Sequence, residues 1–418
     1  MVVRPFHLAW QATGTEPSRA ARLMERVSTL TTDDVTRELE HVYRDFDSRH
    51  WQVQKVFERR YDELIEQFNG ALDPALTAKL TPRRRQLLGA YLCHEYSYAS
   101  AAMMNPSIVA HPDQSSAPDG ARRFLMSVRT VGEGHISTIA FIEGMVGPGR
   151  QVTIDEPPKV ATAADVSAPR RGDPLDSDKI TTIYRQPECD ISRTVIFPMT
   201  DAQRNGLEDL RLTPFDRGKG LCEYIGTYTA YDGKTIRSEL LRTRDFRKFD
   251  LVPMTGPAAR NKGMALFPRK VNGSYMMIGR QDGENLFLLT SSTLTHWEEG
   301  ALIMRPQNAW EFIQLGNCGP PIELDEGWLL LTHGVGAMRR YSIGAILLDR
   351  DDPSKILGRT VRPLLEPLDQ ERDGYVPNVV YTCGAMRVGD DLFIPFGIAD
   401  SSIGFGFVDI KALLAALA

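Results

Sequence analysis

Leu207-Glu-Asp-Leu-Arg-Leu-Thr-Pro214, a glycine-rich turn, and then Tyr224-Ile-Gly-Thr-Tyr-Thr-Ala-Tyr231 form the stretch on which the fold turns. The second half alternates aromatic and small residues, as a strand does. Asp232-Gly233 then turns the chain into a return arm, Ser238-Glu-Leu-Leu-Arg-Thr-Arg-Asp-Phe246, so the unit reads as a hairpin. Glu208, Asp209 and Arg211 stand on a short extended segment just before it. Two adjacent carboxylates beside a buried strand are costly unless paired or used. Asp209 is therefore the first candidate for a proton-transferring acid; a structural Asp–Arg ion pair is the plainer reading of the same residues.

The hairpin is not alone. Similar units occupy residues 124–144, 222–246, 275–297, 328–349 and 392–410. Five copies at roughly fifty-residue spacing, with one longer gap, predict an all-β, five-bladed β-propeller. The gap contains 155–176, rich in Pro, Ala and Asp, which reads as an inserted loop or flap. A β-sandwich is the alternative, but it does not explain why the first strand of each copy ends in a polar or charged residue. Those ends are Arg129, Tyr231, Arg280, His333 and Asp400. In a propeller they converge on one axis, and five separated positions become one pocket.

The first hundred residues have a different texture. Thr32-Asp33-Asp34 is a helix cap, followed at helical spacing by Val35, Leu39, Val42, Phe46, Val53, Phe57, Tyr61, Leu64 and Phe68, with Asn69-Gly70 as the stop. A second helix starts at Thr81-Pro82 and carries Leu87, Leu88, Tyr91, Leu92 and Tyr96, with Arg83-Arg84-Arg85 as a solvated face. The expected organisation is a helical N-terminal extension, 1–100, and a propeller, 101–418.

Composition bounds the function. A net charge of −5 over 418 residues supplies no field for nucleic acid or an anionic membrane. There is no apolar run of spanning length and no signal-peptide pattern. Five cysteines, far apart and without a Cys-x-x-Cys pair, fit a reducing cytoplasm and argue against a disulfide framework or a zinc site. No metal is expected, because the eight histidines show no ligand spacing. The expected pocket joins the acids Asp209, Glu208 and Asp400 to a basic set of Lys262, Arg280, His333 and Arg129. Asn105, Gln314, Tyr341 and Asn378 are its polar partners. Such a mixture suits a polyhydroxylated ligand together with an anion, and a sugar with a phosphate is the economical pair.

These residues also resemble a known family. The ordered set is Glu208-Asp209-Leu210-Arg211, Asn261-Lys262 leading to Leu266-Phe267-Pro268, and Asn272-Gly273-Ser274-Tyr275 ending at Arg280. It continues with Gly319-Pro320-Pro321-Ile322-Glu323, Thr332-His333-Gly334-Val335, Leu347-Leu348-Asp349 and Ala399-Asp400. In that order the set is similar to glycoside hydrolase family 130. The resemblance implies a five-bladed propeller acting on β-mannosides, chiefly by inverting phosphorolysis and in some members by hydrolysis. It implies Asp209 as catalytic acid, and Lys262, Arg280 and His333 as phosphate-holding residues. It further implies sugar contacts from Tyr341 and Asp400, with Asn105, Arg129, Glu208, Arg211 and Gln314 around them. Inorganic phosphate is the implied co-substrate, with no other cofactor, and a homo-oligomer is compatible with it. Two positions depart from the family pattern: Leu210 stands where proline is usual, and Gln314 where a lysine is common.

Overall fold

The computed structural model describes residues 1–9, 11, 17–50, 52–68, 73–166, 175–371 and 373–417. Helices come first. α1 (Arg19–Thr29), α2 (Thr32–Phe46), α3 (Val53–Phe68), α4 (Pro74–Ala78) and α5 (Pro82–Tyr91) bury one apolar cluster that includes Met24, Leu39, Tyr61, Leu64 and Leu88. The single helix expected from Thr32 to Phe68 is broken after Phe46. The break has a cause: buried His50 bonds Glu95 at 2.5 Å, tying the turn to the strand Cys93–Tyr96. The cap also shifts, with Thr31 accepting from the Asp34 amide. The stop expected at Asn69-Gly70 lies outside the described residues.

Tyr96 belongs to a strand and not to the second helix; Cys93–Tyr96 pairs antiparallel with Val2–Pro5. The arginine run is more than a solvated face. Arg83 donates to Thr36, Arg84 to the Leu30 carbonyl and Arg85 to the Leu80 carbonyl, so the three fasten α5 to its neighbours. α1 and α4 are helices that the sequence pattern did not yield.

The rest of the chain is mostly β. All five expected hairpins are antiparallel pairs: Arg122–Val131 with Ser137–Gly147, Cys222–Tyr231 with Ile236–Thr243, Tyr275–Gly279 with Leu286–Ser291, Gly327–Val335 with Tyr341–Leu348, and Asp391–Ile398 with Ser402–Asp409. Each is preceded by another strand bonded to its first arm. These leading strands are Ala102–Ala110, Gly206–Asp216, Ala265–Leu266, Gln314–Asn317 and Val380–Tyr381. They fall into an eleven-stranded sheet holding the first two units and three smaller sheets holding the others.

Apolar clusters fill the spaces between successive units. Phe141, Leu212 and Phe249 join the first to the second; Phe215, Met277 and Trp297 the second to the third. Ile278, Leu315 and Trp328 join the third to the fourth, and Leu331, Val380 and Ile394 the fourth to the fifth. A further cluster packs the fifth unit on the first: the Phe124 and Phe393 rings lie 5.6 Å apart, and the Cys383 amide donates to the Pro106 carbonyl at 2.7 Å. Alternating strands bury one face on each neighbour, so every unit is sealed on both sides by its own apolar residues. The segment 155–176 is less of a flap than expected where it is described. Thr162–Ala163 pairs with Thr194–Val195 and the Ala161 amide donates to the Met1 carbonyl; residues 167–174 lie outside the described residues. No helix among the described residues is long and apolar enough to cross a membrane.

α3 and α5 approach closely at Gly89, where an added Cβ meets the Phe57 carbonyl oxygen at 1.9 Å. Gly89→Ala is expected to destabilise the helical layer by about 1–3 kcal/mol, the usual cost of overpacking. Thermal unfolding followed by far-UV circular dichroism checks this; an unchanged transition contradicts the packing described.

Candidate active site

The leading strands and the first hairpin arms end around one cavity of about 200 Å³. Two of the leading strands are deformed there. In Gly206–Asp216 the register jumps between Glu208, opposite Thr229, and Arg211, opposite Thr227, and Asp209 takes a left-handed φ of 57°. This is a bulge. Strict alternation would separate Glu208 from Asp209; the bulge lets both carboxylates reach one guanidinium. Ala102–Ala110 repeats the device between Met104 and Ser107, with Asn105 at φ 51°. Asp400 sits at φ 53° in the turn after its strand. Left-handed non-glycine residues cost free energy and cluster at functional sites, and here three of them face one another.

Arg129 organises the acids. Its Nη2 donates to Glu208 Oε1 at 2.7 Å, its Nη1 to Asp209 Oδ1 at 3.3 Å, and its Nε to Ser137 Oγ at 2.9 Å. Asn105 Nδ2 donates to the same Asp209 oxygen at 2.6 Å. Lys262 Nζ bonds the other oxygen of Glu208 at 2.5 Å. Glu208, 5% exposed, therefore lies behind the cavity wall with both oxygens occupied, and it is not among the lining residues. Burial pushes the Asp209 carboxyl up, but Arg129, Lys262 and Arg211 more than offset it and hold Asp209 below the usual carboxylate range. Burial and the charge of Asp209 push Asp400 the other way, up to about 6. The two carboxyls of the cavity thus differ in protonation at mildly acidic pH.

The opposite wall is cationic and aromatic. Arg211, 3% exposed, donates to the Tyr381 hydroxyl at 2.8 Å and keeps its proton firmly. Arg280 Nη1 lies 3.3 Å from His333 Nε2, and Gln314 Nε2 lies 3.2 Å from the same atom. His333 Nδ1 is 3.1 Å from the Asn317 carbonyl, which can only accept. Burial, with Arg280 and Arg211 nearby, lowers the imidazole well below its ordinary range, so His333 is neutral. Nδ1 then carries the hydrogen and Nε2 accepts from Arg280. His333 is in the cavity as expected, but as an acceptor that orients Arg280 and not as a positive charge. Its ring lies near Tyr341, nearly parallel at 6.0 Å, and meets Tyr381 edge-on at 4.8 Å.

Ten of the thirteen candidate residues line the cavity: Asp209, Lys262, Arg280, His333, Asn105, Arg129, Arg211, Gln314, Tyr341 and Asp400, with Glu208 behind its wall. Tyr231 and Asn378 do not. Tyr231 turns its hydroxyl to the Gly233 carbonyl, and Asn378 supplies only its backbone oxygen, to the Tyr341 amide. The reading of strand ends holds for four of the five hairpins; in the second, the leading strand supplies Asp209 and Arg211 instead. Tyr381, Asn317 and Arg339 also line the cavity and were missed. Asn317 had a signal, the Gly316-Asn-Cys-Gly319 turn, in which its side chain ties Gly263, Ile278 and Gly319 together. Tyr381 lies on a two-residue strand too short to show a period. Two buried polar atoms in the site lack a hydrogen-bond partner among the described residues, Asn105 Oδ1 and Arg280 Nε. Such atoms mark places where a ligand's donor or acceptor fits. No group of three or more His, Cys, Asp or Glu residues with metal-holding geometry occurs among the described residues.

The cavity and its ordered motifs define a carbohydrate-active chain of one family. Residues 189–418 match the model of glycoside hydrolase family 130, described as β-1,4-mannooligosaccharide phosphorylase, and the chain belongs to that family. It is 33% identical over 228 residues to a 1,2-β-oligomannan phosphorylase of Thermoanaerobacter sp. (strain X514), covering 53% of this chain and 74% of that protein. It is 36% identical over 211 residues to a β-1,2-mannobiose phosphorylase of the same organism, covering 49% and 67%. Among solved structures, the β-1,2-mannobiose phosphorylase of Listeria innocua in complex with β-1,2-mannobiose superposes with a TM-score of 0.56 at 23% identity, covering 78% of this chain and 94% of that one. At that identity the superposition speaks for the fold alone.

The raised Asp400 carboxyl has a linkage consequence. Its ionisation is penalised in the folded state, so stability falls as pH rises from the unfolded value to about 6 and levels off above it. Asp400→Asn removes that penalty. It is expected to stabilise the protein above about pH 6, with the advantage fading toward pH 4. Urea unfolding at a series of pH values measures the difference, and a constant offset across the range contradicts the assignment.

Proposed function

We propose that this chain is an inverting glycoside phosphorylase: phosphate attacks the anomeric carbon of a β-mannoside, the glycosidic carbon–oxygen bond breaks, the aglycone departs as an alcohol, and α-mannose 1-phosphate is formed. The observation that carries this reading is the pairing of one buried acid with a cationic wall, while the carboxylate beside that acid has no free oxygen. An inverting hydrolase needs a second carboxylate to activate water; Glu208, held on both oxygens by Arg129 and Lys262, is not free for that part, which leaves Asp400 as the base that hydrolysis would need. A phosphorylase needs cations to hold a dianion against the anomeric carbon, and Arg280, Lys262 and Arg211 border the same cavity. Hydrolysis is the second reading, and a non-catalytic glycan-binding propeller the third. Asp209 protonates the departing oxygen, relayed through a sugar hydroxyl as in the family pattern. Asp400 and Tyr341 contact the sugar, Arg280 holds the phosphate, and His333 orients Arg280.

The fold we propose for this chemistry is a five-bladed propeller over 101–418 with a helical extension over 1–100. Its support is the cyclic series of apolar seals, in which the fifth unit packs on the first, and the five leading strands that reach one cavity. A cytoplasmic setting, with inorganic phosphate as the co-substrate, suits the same reading.

An acid must carry a proton when the leaving group departs, yet the cations hold Asp209 low in the empty site. A bound dianion neutralises those cations and lets burial dominate, so phosphate arms the acid. Sulfate does not titrate near neutrality and serves as a probe. Its binding at pH 7 is expected to take up protons, seen by calorimetry in two buffers of different ionisation enthalpy, and Asp209→Asn is expected to abolish the uptake. Uptake that persists in Asp209→Asn assigns the proton elsewhere.

The reaction itself is tested with β-1,2- and β-1,4-mannobiose. The expected product is mannose 1-phosphate, formed only with phosphate present; free mannose in its absence means hydrolysis. Asp209→Asn is expected to lower kcat by about 10²–10⁴-fold, the contribution of a general acid. Arg280→Ala is expected to raise KM for phosphate at least tenfold, and unchanged phosphate dependence removes Arg280 from the anion site.

A further inference from the structure

The five hairpin turns follow the strand ends that reach the catalytic cavity, so they stand around its mouth as five versions of one element. Four are polar: Gly132-Glu-Gly-His135, Asp232-Gly-Lys-Thr235, Arg280-Gln-Asp-Gly-Glu-Asn285 and Ala399-Asp-Ser401. The turn of the fourth unit, Gly336-Ala-Met-Arg-Arg340, differs, for Met338 at its tip is 86% exposed. Beside it the leading strand Gln314–Asn317 is entered through Phe312 and Ile313, 63% and 58% exposed. The Ile313 amide donates to the Val335 carbonyl at 2.9 Å, which sets the two segments side by side. Among the described residues, three of the five most exposed large apolar side chains therefore sit on one sector of the rim. The sector is continuous with the cavity: Gln314 follows Ile313, Arg339 follows Met338, and both line it.

These side chains are held out on a fixed support. Buried Glu311 accepts from the Gln307 and Asn308 amides, and Arg359 Nη2 donates to both of its oxygens at 2.6 and 2.7 Å. Trp310 lies against Gly334 and Gly344, where an added Cβ meets its ring carbons at 2.5 and 2.6 Å, and its Nε1 donates to the Val361 carbonyl at 3.1 Å. Phe312 thus extends from a turn that its two preceding residues pin to the unit. Across from it, Met338 and Arg339 both take a left-handed φ of 55°, and the Gly336 amide donates to the Arg340 carbonyl at 2.9 Å. Consecutive left-handed residues with side chains cost free energy, yet here one of them puts a methionine into water. An apolar surface kept exposed at such a cost fits the apolar body of a ligand.

We infer that this sector receives the leaving group, and that the mannosides this chain cleaves carry an apolar aglycone, alkyl or aryl. The inference rests on the proposed mannoside reaction and names its substrate class. The sugar and the anion occupy the polar cavity, and the group to which the sugar is attached crosses the rim over Phe312, Ile313 and Met338. Contact there removes apolar surface of both ligand and protein from water. A plain oligosaccharide, hydroxylated on every side, would find better partners at the four polar turns.

The test uses the full chain and a series of methyl, butyl and hexyl β-mannosides. Their leaving alcohols are of nearly equal acidity, so only the contact with the rim changes along the series. Dissociation constants are measured by calorimetry without phosphate, and KM and products with it. Both constants are expected to fall about tenfold or more from methyl to hexyl. Phe312→Ser combined with Met338→Asn, the second a residue suited to a left-handed φ, is expected to flatten the series; Phe312→Leu combined with Met338→Leu is expected to keep it. Affinity independent of chain length in the unaltered chain overturns the inference, as does a dependence that survives Phe312→Ser with Met338→Asn. Self-association of the unaltered chain in sedimentation, lost in that paired variant and accompanied by a flat series, gives the sector to a second copy of the chain and overturns it too. If hexyl β-mannoside binds more tightly than methyl and no mannose 1-phosphate forms, phosphorolysis falls and this contact stands. A flat series with mannose 1-phosphate formed keeps the reaction and removes the aglycone site.

Discussion

Arg129 is the contact on which the catalytic cavity depends. Neighbouring carboxylates repel each other, and neither can be buried without a counter-charge. A single guanidinium fork satisfies one oxygen of Glu208 and one of Asp209 at once, which is possible only because the bulge at Asp209 breaks the alternation of its strand. The bulge costs a left-handed residue, and the ion pairs offset that cost. Strain and charge support each other: a regular strand would point Asp209 away, and without Arg129 the bulge would leave Asp209 with no ion-pair partner and Glu208 with Lys262 alone.

The second carboxylate has a structural duty that clarifies the first. Glu208 accepts from Arg129 and Lys262, so it sets where two cations stand and leaves Asp209 as the one of the pair open to the cavity. His333 plays the corresponding part on the opposite wall. Neutral, with its hydrogen directed at Asn317, it offers a lone pair to Arg280. The site therefore has two oriented cation groups, each anchored by an acceptor behind it: Arg129 and Lys262 beside Asp209, and Arg280 on the opposite wall. Gln314 also reaches His333 Nε2, so it shares the single lone pair of that nitrogen with Arg280.

What was legible in the sequence follows from which interactions are local. Hairpins announce themselves through alternation and Asp-Gly turns, and all five are present where the pattern placed them. The leading strands did not, because Ala265–Leu266 and Val380–Tyr381 are two residues long and Gln314–Asn317 is four; their hydrogen bonds come from the next hairpin and not from their own composition. Tyr231 was misplaced for the same reason, since the position nearest the cavity in that unit belongs to the leading strand. Among the helices, the break after Phe46 depends on His50 finding Glu95, a partner forty-five residues away that no periodicity can foresee.

Charge was harder to read than position. Nothing in Leu331-Thr-His-Gly334 says that His333 is neutral; that follows from its burial and from Arg280 and Arg211 arriving from other strands. Likewise Asp209 and Asp400 look alike in sequence and titrate in opposite directions, because one is surrounded by cations and the other by low-dielectric surface and a neighbouring carboxylate. The order of events in the site follows from this asymmetry. In the proposed reaction Asp209 holds its charge until an anion occupies the cationic wall, and the burial that was overruled then makes the acid. On that reading binding and proton donation are two states of one electrostatic balance, in which Lys262 and Arg211 are the cations that both border the cavity and hold Asp209 low.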